Sequence, residues 1–132
     1  MRQIATLFLV LLAAAALAGC GVAPALVTQG ELRVALTTDP APPLAGRDTA
    51  VLLTISEAGA PLAGATVELR RSMPGMEHPD DHELLPAEDL GGGRYRATLN
   101  FSMGGRWELA ALVRRHDGSS STLVVPVDVE QP

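Results

Sequence analysis

Lysine is absent from this 132-residue chain, cysteine occurs once, and the aromatic side chains are one Trp, one Tyr and two Phe. The lone cysteine, Cys20, rules out an intramolecular disulfide. Ten Arg stand against fifteen Asp and Glu, a formal charge of −5. That acidic balance, without lysine, excludes nucleic acid as a partner and a polybasic grip on anionic lipid. After Cys20 no stretch shows sustained helical periodicity. No glycine-rich phosphate loop follows a strand and opens a helix. His116, Asp117 and Ser119 to Ser121 carry the letters of a hydrolase triad. A triad is assembled from separated segments, however, and "HDGSSS" is turn chemistry. The sequence reads as a non-enzyme.

What is present begins with "MRQIATLFLVLLAAAALAGC". Arg2 supplies a positive start, residues 4–18 are apolar but for Thr6, and the small Ala18 and Gly19 lead into Cys20. This is the layout of a secretory signal peptide over residues 1–19. Leu17-Ala18-Gly19-Cys20 also resembles the bacterial lipobox, whose cysteine is acylated (palmitate among the chains) and becomes the mature N-terminus. The alternative is an uncleaved anchor, since the run is near the lower length for a membrane span. A cysteine directly after small residues favours the lipoprotein. An acylated Cys20 offers no thiolate to a metal or a substrate. The expected location is extracytoplasmic, at a bacterial cell membrane, with about 0.8 kcal/mol of anchoring per buried methylene. Residues 20–30 read as the lipidated cysteine and a tether, and residues 31–130 as one domain with one core. Losing Arg2 with the leader takes the formal charge from −5 to −6.

Within the domain the hydrophobic pattern has period two. Leu32, Val34 and Leu36 alternate with Arg33, Ala35 and Thr37. The same alternation returns at Val51–Ile55, Ala65–Leu69, Tyr95–Phe101, Trp107–Val113 and Leu123–Val129. Between these runs lie segments rich in Gly, Pro, Asp or Ser, such as "DPAPPLAGRD" and "EAGAPLAG". Six strong strands and a weaker one around residues 83–87 predict an all-β fold, an immunoglobulin-like antiparallel sandwich of about seven strands. Tyr95, Phe101 and Trp107 fall on the inward parity and are candidate core residues. "DLGGGRY" also suggests a tyrosine corner, where a phenol bonds back to the backbone.

Four short motifs occur in order: Gly59-Ala60-Pro61-Leu62-Ala63-Gly64-Ala65, Met73-Pro74-Gly75-Met76-Glu77-His78, Gly93-Arg94-Tyr95 and Met103-Gly104-Gly105-Arg106-Trp107. With the lipobox leader, they resemble the YtkA-like domain, related to the FixH family, from near Leu32 to Val129. The resemblance implies a small extracytoplasmic β-sandwich, often membrane-anchored, linked in some relatives to oxidase assembly or copper handling. FixH proper carries a transmembrane anchor where this chain has a lipobox, which sets oxidase assembly further off.

The segment "RRSMPGMEHPDDHE" (residues 70–83) gathers Met73, Met76, His78 and His82 in a loop broken by Pro and Gly. Thioethers are soft, neutral donors that select Cu(I) over harder ions. Met73, Met76 and His78, with Met103 from the last motif and His82 beside them, form a candidate copper set. Packing is the other reading: Met103 shares the parity of Tyr95, Leu99 and Phe101, and methionine fills irregular gaps near turns. His78 and His82 with Glu77, Asp80, Asp81 and Glu83 would also suit Zn(II) or Cu(II). Pro79 makes a continuous helix through both histidines unfavourable, and a solvated acidic loop accounts for the same residues. If successive strands run antiparallel, residues 73–83, 103–106 and 39–48 emerge at one end of the sandwich and His116 at the other.

Two functional readings follow. One is a membrane-anchored extracytoplasmic binding or chaperone module handling Cu(I). The other is a metal-free interaction domain docking on a membrane complex, such as a respiratory oxidase assembly.

Overall fold

A computed structural model describes residues 23–132; the expected signal peptide and Cys20 lie outside the described residues. In chain order the strands are β1 (Ala25–Gln29), β2 (Leu32–Asp39), β3 (Asp48–Glu57), β4 (Ala60–Pro61), β5 (Thr66–Ser72), β6 (Leu85–Pro86), β7 (Glu88–Gly91), β8 (Arg94–Asn100), β9 (Gly105–Arg114) and β10 (Ser120–Val129). One sheet has the order β1-β2-β3-β8-β7, with β4 alongside β3, and the other the order β10-β9-β5-β6. Neighbours pair antiparallel in both. The fold is an all-β, immunoglobulin-like sandwich.

Alternation builds it. Along β3, Val51, Leu53 and Ile55 are buried, and along β8 so are Tyr95, Ala97 and Leu99. Trp107, Leu109, Ala111 and Val113 of β9 face them from the other sheet with Leu123, Val125 and Val127 of β10. Each Val, Leu or Ile among them contributes about 1.5–3 kcal/mol when fully buried.

Ten strands form where the sequence pattern predicts seven. The tether expected over residues 20–30 is a strand from Ala25 onward, with Val27 opposite Val34 of β2. Ala25 and Val27 are only partly buried and Leu26 is exposed, so the period-two signal is short and ends at Gly30. The weak strand expected near residues 83–87 is two short strands, β6 on β5 and β7 on β8. Neither contains a fully buried residue; Leu85 of β6 packs partly against the core, and β7 is exposed throughout.

Two contacts tie the connections down. The Tyr95 hydroxyl donates to the Leu62 carbonyl (2.7 Å) and accepts from the Ala65 N–H (3.1 Å). The phenol therefore bonds to backbone some thirty residues upstream, rather than the few residues of a tyrosine corner. Burial pushes its pKa above the ordinary phenol range. Gly93 has φ +80°, and a Cβ there would lie 2.6 Å from the Ile55 carbonyl oxygen, so both conformation and space require glycine.

Antiparallel pairing sorts the loops. Residues 39–48, 73–84 and 101–104 emerge at one end, where Asp48 pairs with Asn100, Ser72 with Glu108 and Val129 with Gly105. That end is closed by the Ala45 N–H to the Glu130 carbonyl and the Gly46 N–H to the Phe101 carbonyl. His116 sits at the opposite end, packed over Gly64. There Arg115 grips Glu57 through both carboxylate oxygens, and these hydrogen bonds hold the Glu57 carboxyl below its ordinary range. The stabilisation from Glu57 is present above the usual carboxylate pKa and is lost as pH falls through the lowered value.

Candidate functional site

Trp107 is the centre of the end that carries the Met/His loop. It begins the inward row of β9, and its ring is buried with the edge of Phe101 5.4 Å away between centroids. The His78 ring stacks on the indole at 5.2 Å with 28° between planes. The indole N–H donates to the Met103 carbonyl at 3.0 Å, which pins the β8–β9 turn over the ring. Met103 itself is partly buried against the core. Met73 continues the inward row of Val67, Leu69 and Arg71 on β5 and is buried. Its terminal methyl lies 3.1 Å from where a Gly105 Cβ would stand, so glycine at 105 leaves the thioether its room.

A tight turn separates the first two methionines. The Met76 N–H donates to the Met73 carbonyl (3.1 Å), and Gly75 takes φ +79°. The Met76 side chain is 49% exposed. The chain then rises to His78 and a single-turn 3₁₀ helix, Pro79–His82. Asp81 caps it, accepting from the His78 N–H at 2.8 Å. His82 is exposed on this helix. The structure thus stacks His78 on the indole, brings Met73 and Met103 to the same end of the sandwich, keeps Met76 at the rim, and places His116 at the other end.

The acidic residues of the loop have another partner. Arg71, 7% exposed, reaches Asp80 and Glu83, each at 3.2 Å. It straps the 3₁₀ helix to β5. Among the described residues no three His, Cys, Asp or Glu side chains gather as a metal group, so the His/carboxylate set is not assembled for Zn(II) or Cu(II) in this conformation. Sequence reasoning gave Arg71 no role. Its signal was present: an arginine on the inward parity at a strand end, just before an acidic loop.

Two buried polar atoms in the loop, His78 Nε2 and Asp81 Oδ1, have no hydrogen-bond partner among the described residues. An unpaired buried polar atom costs about 1–3 kcal/mol, so each is a place where a ligand or solvent is favoured. The imidazole nitrogen is a donor that suits a soft or borderline ion, and Met73 and Met103 lie at the same end of the sandwich.

The YtkA-like family matches residues 27–111. The chain belongs to this family. The YtkA-like match begins within β1 and runs into β9, and so contains the whole Met/His loop and Trp107. No curated protein is a significant sequence match. In fold, this YtkA-like chain is similar to the soluble domain of PmoD from Methylocystis sp. (Rockwell), with a TM-score of 0.53 and 14% identity. That similarity covers 81% of this chain and 98% of the PmoD domain. Among the described residues no helix is long and apolar enough to cross a membrane.

Proposed function

We propose that this YtkA-like chain is a non-enzymatic binding module, held outside the cytoplasm by lipid on Cys20, that carries Cu(I) as cargo on its Met/His end. The observation that carries the reading is His78 Nε2: buried, unpartnered, in a ring stacked on Trp107, at the end of the sandwich that also carries Met73 and Met103. These donors fit the ion, because two thioethers and an imidazole are soft to borderline and need no deprotonated thiolate. Met76, at the exposed rim of the same turn, is placed to meet an incoming ion first. Met73 and Met103 would hold it deeper, and the stacked indole fixes the orientation of His78. Bound Cu(I) would supply no chemistry of its own here beyond being delivered. The second reading, with the relationship to FixH behind it, is a metal-free interaction domain that docks on a membrane complex such as a respiratory oxidase assembly.

The test is anaerobic Cu(I) titration of the full-length protein in detergent, in competition with a chromophoric chelator. Stoichiometric binding with a change in Trp107 fluorescence is expected, since Trp107 is the single tryptophan. Replacing donors while keeping volume, as Met73→Leu, Met103→Leu and His78→Phe together, should preserve folding. It should weaken binding by roughly 100-fold or more, beyond the loss typical of outer-shell changes. If that variant competes for Cu(I) as well as the parent, the ion is not held at Trp107. Co-purification of a membrane partner with no metal required would then favour the docking reading.

A further inference from the structure

β1 runs antiparallel to β2, with Ala25 opposite Leu36 near the β2 terminus. The described chain therefore enters the sandwich at the end where β2 finishes at Asp39, the end of the Met/His loop. Ala23 and Ala25 line a groove of about 380 Å³ there, with Pro42, Pro43, Pro126 and Val127 among its other walls. Asp128 is the one charged residue lining it. Three of these walls are prolines, which have no backbone N–H to strip of water when an apolar phase covers them.

Cys20 precedes Ala23 by three residues. Three residues reach at most about 11 Å, whatever their conformation. At the far end, Gln29 lies six residues along the chain from Ala23, roughly 20 Å, and β9 runs ten residues, roughly 33 Å, to the turn after Arg114. An anchor on Cys20 holds the groove end close to a membrane surface, and an upright sandwich then lifts the far end away from it.

We propose that the sandwich stands on its Met/His end, with the proline-lined groove resting on the lipid surface. This rests on the reading of Cys20 as lipidated. In that posture the loop of residues 73–84 opens into the thin layer beside the bilayer, about two strand spacings, near 10 Å, from β10 and its groove. A membrane-embedded protein can exchange an ion with it there. A carrier diffusing in bulk has to approach from the side.

Energy transfer from the mature protein in vesicles carrying a headgroup-labelled acceptor lipid tests this. Donor dyes go on Arg47→Cys at the groove end and Gln29→Cys at the far end, both exposed positions. Acylated Cys20 takes no dye. Arg47→Cys should transfer several-fold more efficiently than Gln29→Cys, and adding Ala41→Asp, at an exposed residue that also lines the groove, should lower the Arg47→Cys signal by charging the groove wall. Equal transfer from both dyes, or more from Gln29→Cys, overturns the orientation even when the protein floats with the vesicles. An unchanged signal on adding Ala41→Asp overturns the contact between groove and lipid. Should the parent fail to float, or Cys20→Ala float as well as the parent, the anchor reading falls and takes this posture with it.

Discussion

A single indole joins the core to the loop above it. Trp107 packs on Phe101, stacks on His78 and donates to the Met103 carbonyl. Truncation to alanine removes all three contacts and should cost about 3–5 kcal/mol. For a domain whose total is about 5–15 kcal/mol, that is a large fraction. Urea unfolding should show a clearly lower midpoint for Trp107→Ala. Trp107→Phe keeps an aromatic ring but loses the N–H and part of the indole volume, so its loss should be intermediate, about 1–3 kcal/mol. Equal midpoints for Trp107→Ala and the parent would contradict this packing. Much of the residue's role was legible, because period two placed it inward with Leu109 and Ala111. The stack with His78 was not. The two lie on separate segments, and no local pattern links a ring in a strand to one in a loop.

The Met/His loop is held at its foot by stacking and at its crown by Arg71. Exposed ion pairs are worth about 1 kcal/mol or less, and the Asp80 and Glu83 side chains are 59% and 51% exposed. Arg71→Met should thus lower global stability little while freeing the 3₁₀ helix. Hydrogen exchange should quicken for amides of residues 78–84 and stay slow in β9; high salt should give part of the same effect by screening. Unchanged exchange in the loop would mean that the His78–Trp107 stack alone secures it. Such a loop is hard to read from sequence. Four residues from Met73 to Met76 reverse the chain, so the two thioethers diverge, one inward and one outward, with no period to announce it. Arg71 was better marked, since Val67, Leu69, Arg71 and Met73 share one parity.

At the scale of the whole molecule, alternation made the sandwich legible and antiparallel counting placed three loops at one end. β1 escaped because it is short and its Leu26 points outward, 47% exposed. It nevertheless covers an edge that β2 would otherwise present unpaired. A chain beginning at Glu31 loses that cover and the partial burial of Ala25 and Val27. It should lose about 1–2 kcal/mol relative to one beginning at Ala23, and the bare edge should promote self-association. Chemical denaturation and light scattering of the two chains measure this. Equal stability and no association in the shorter chain would show β1 to be an accessory.

The turn that sends Met73 inward and Met76 outward also divides their exposure to oxidants. Sulfoxide formation turns a flexible apolar thioether into a polar, chiral group. At Met76 the added oxygen would face water. Met73, 8% exposed and pressed on Gly105, has neither ready access for peroxide nor space for the product. Oxidative damage to this loop therefore falls first on the rim sulfur, whose loss leaves the core undisturbed, while the inner sulfur survives as long as the sandwich stays folded.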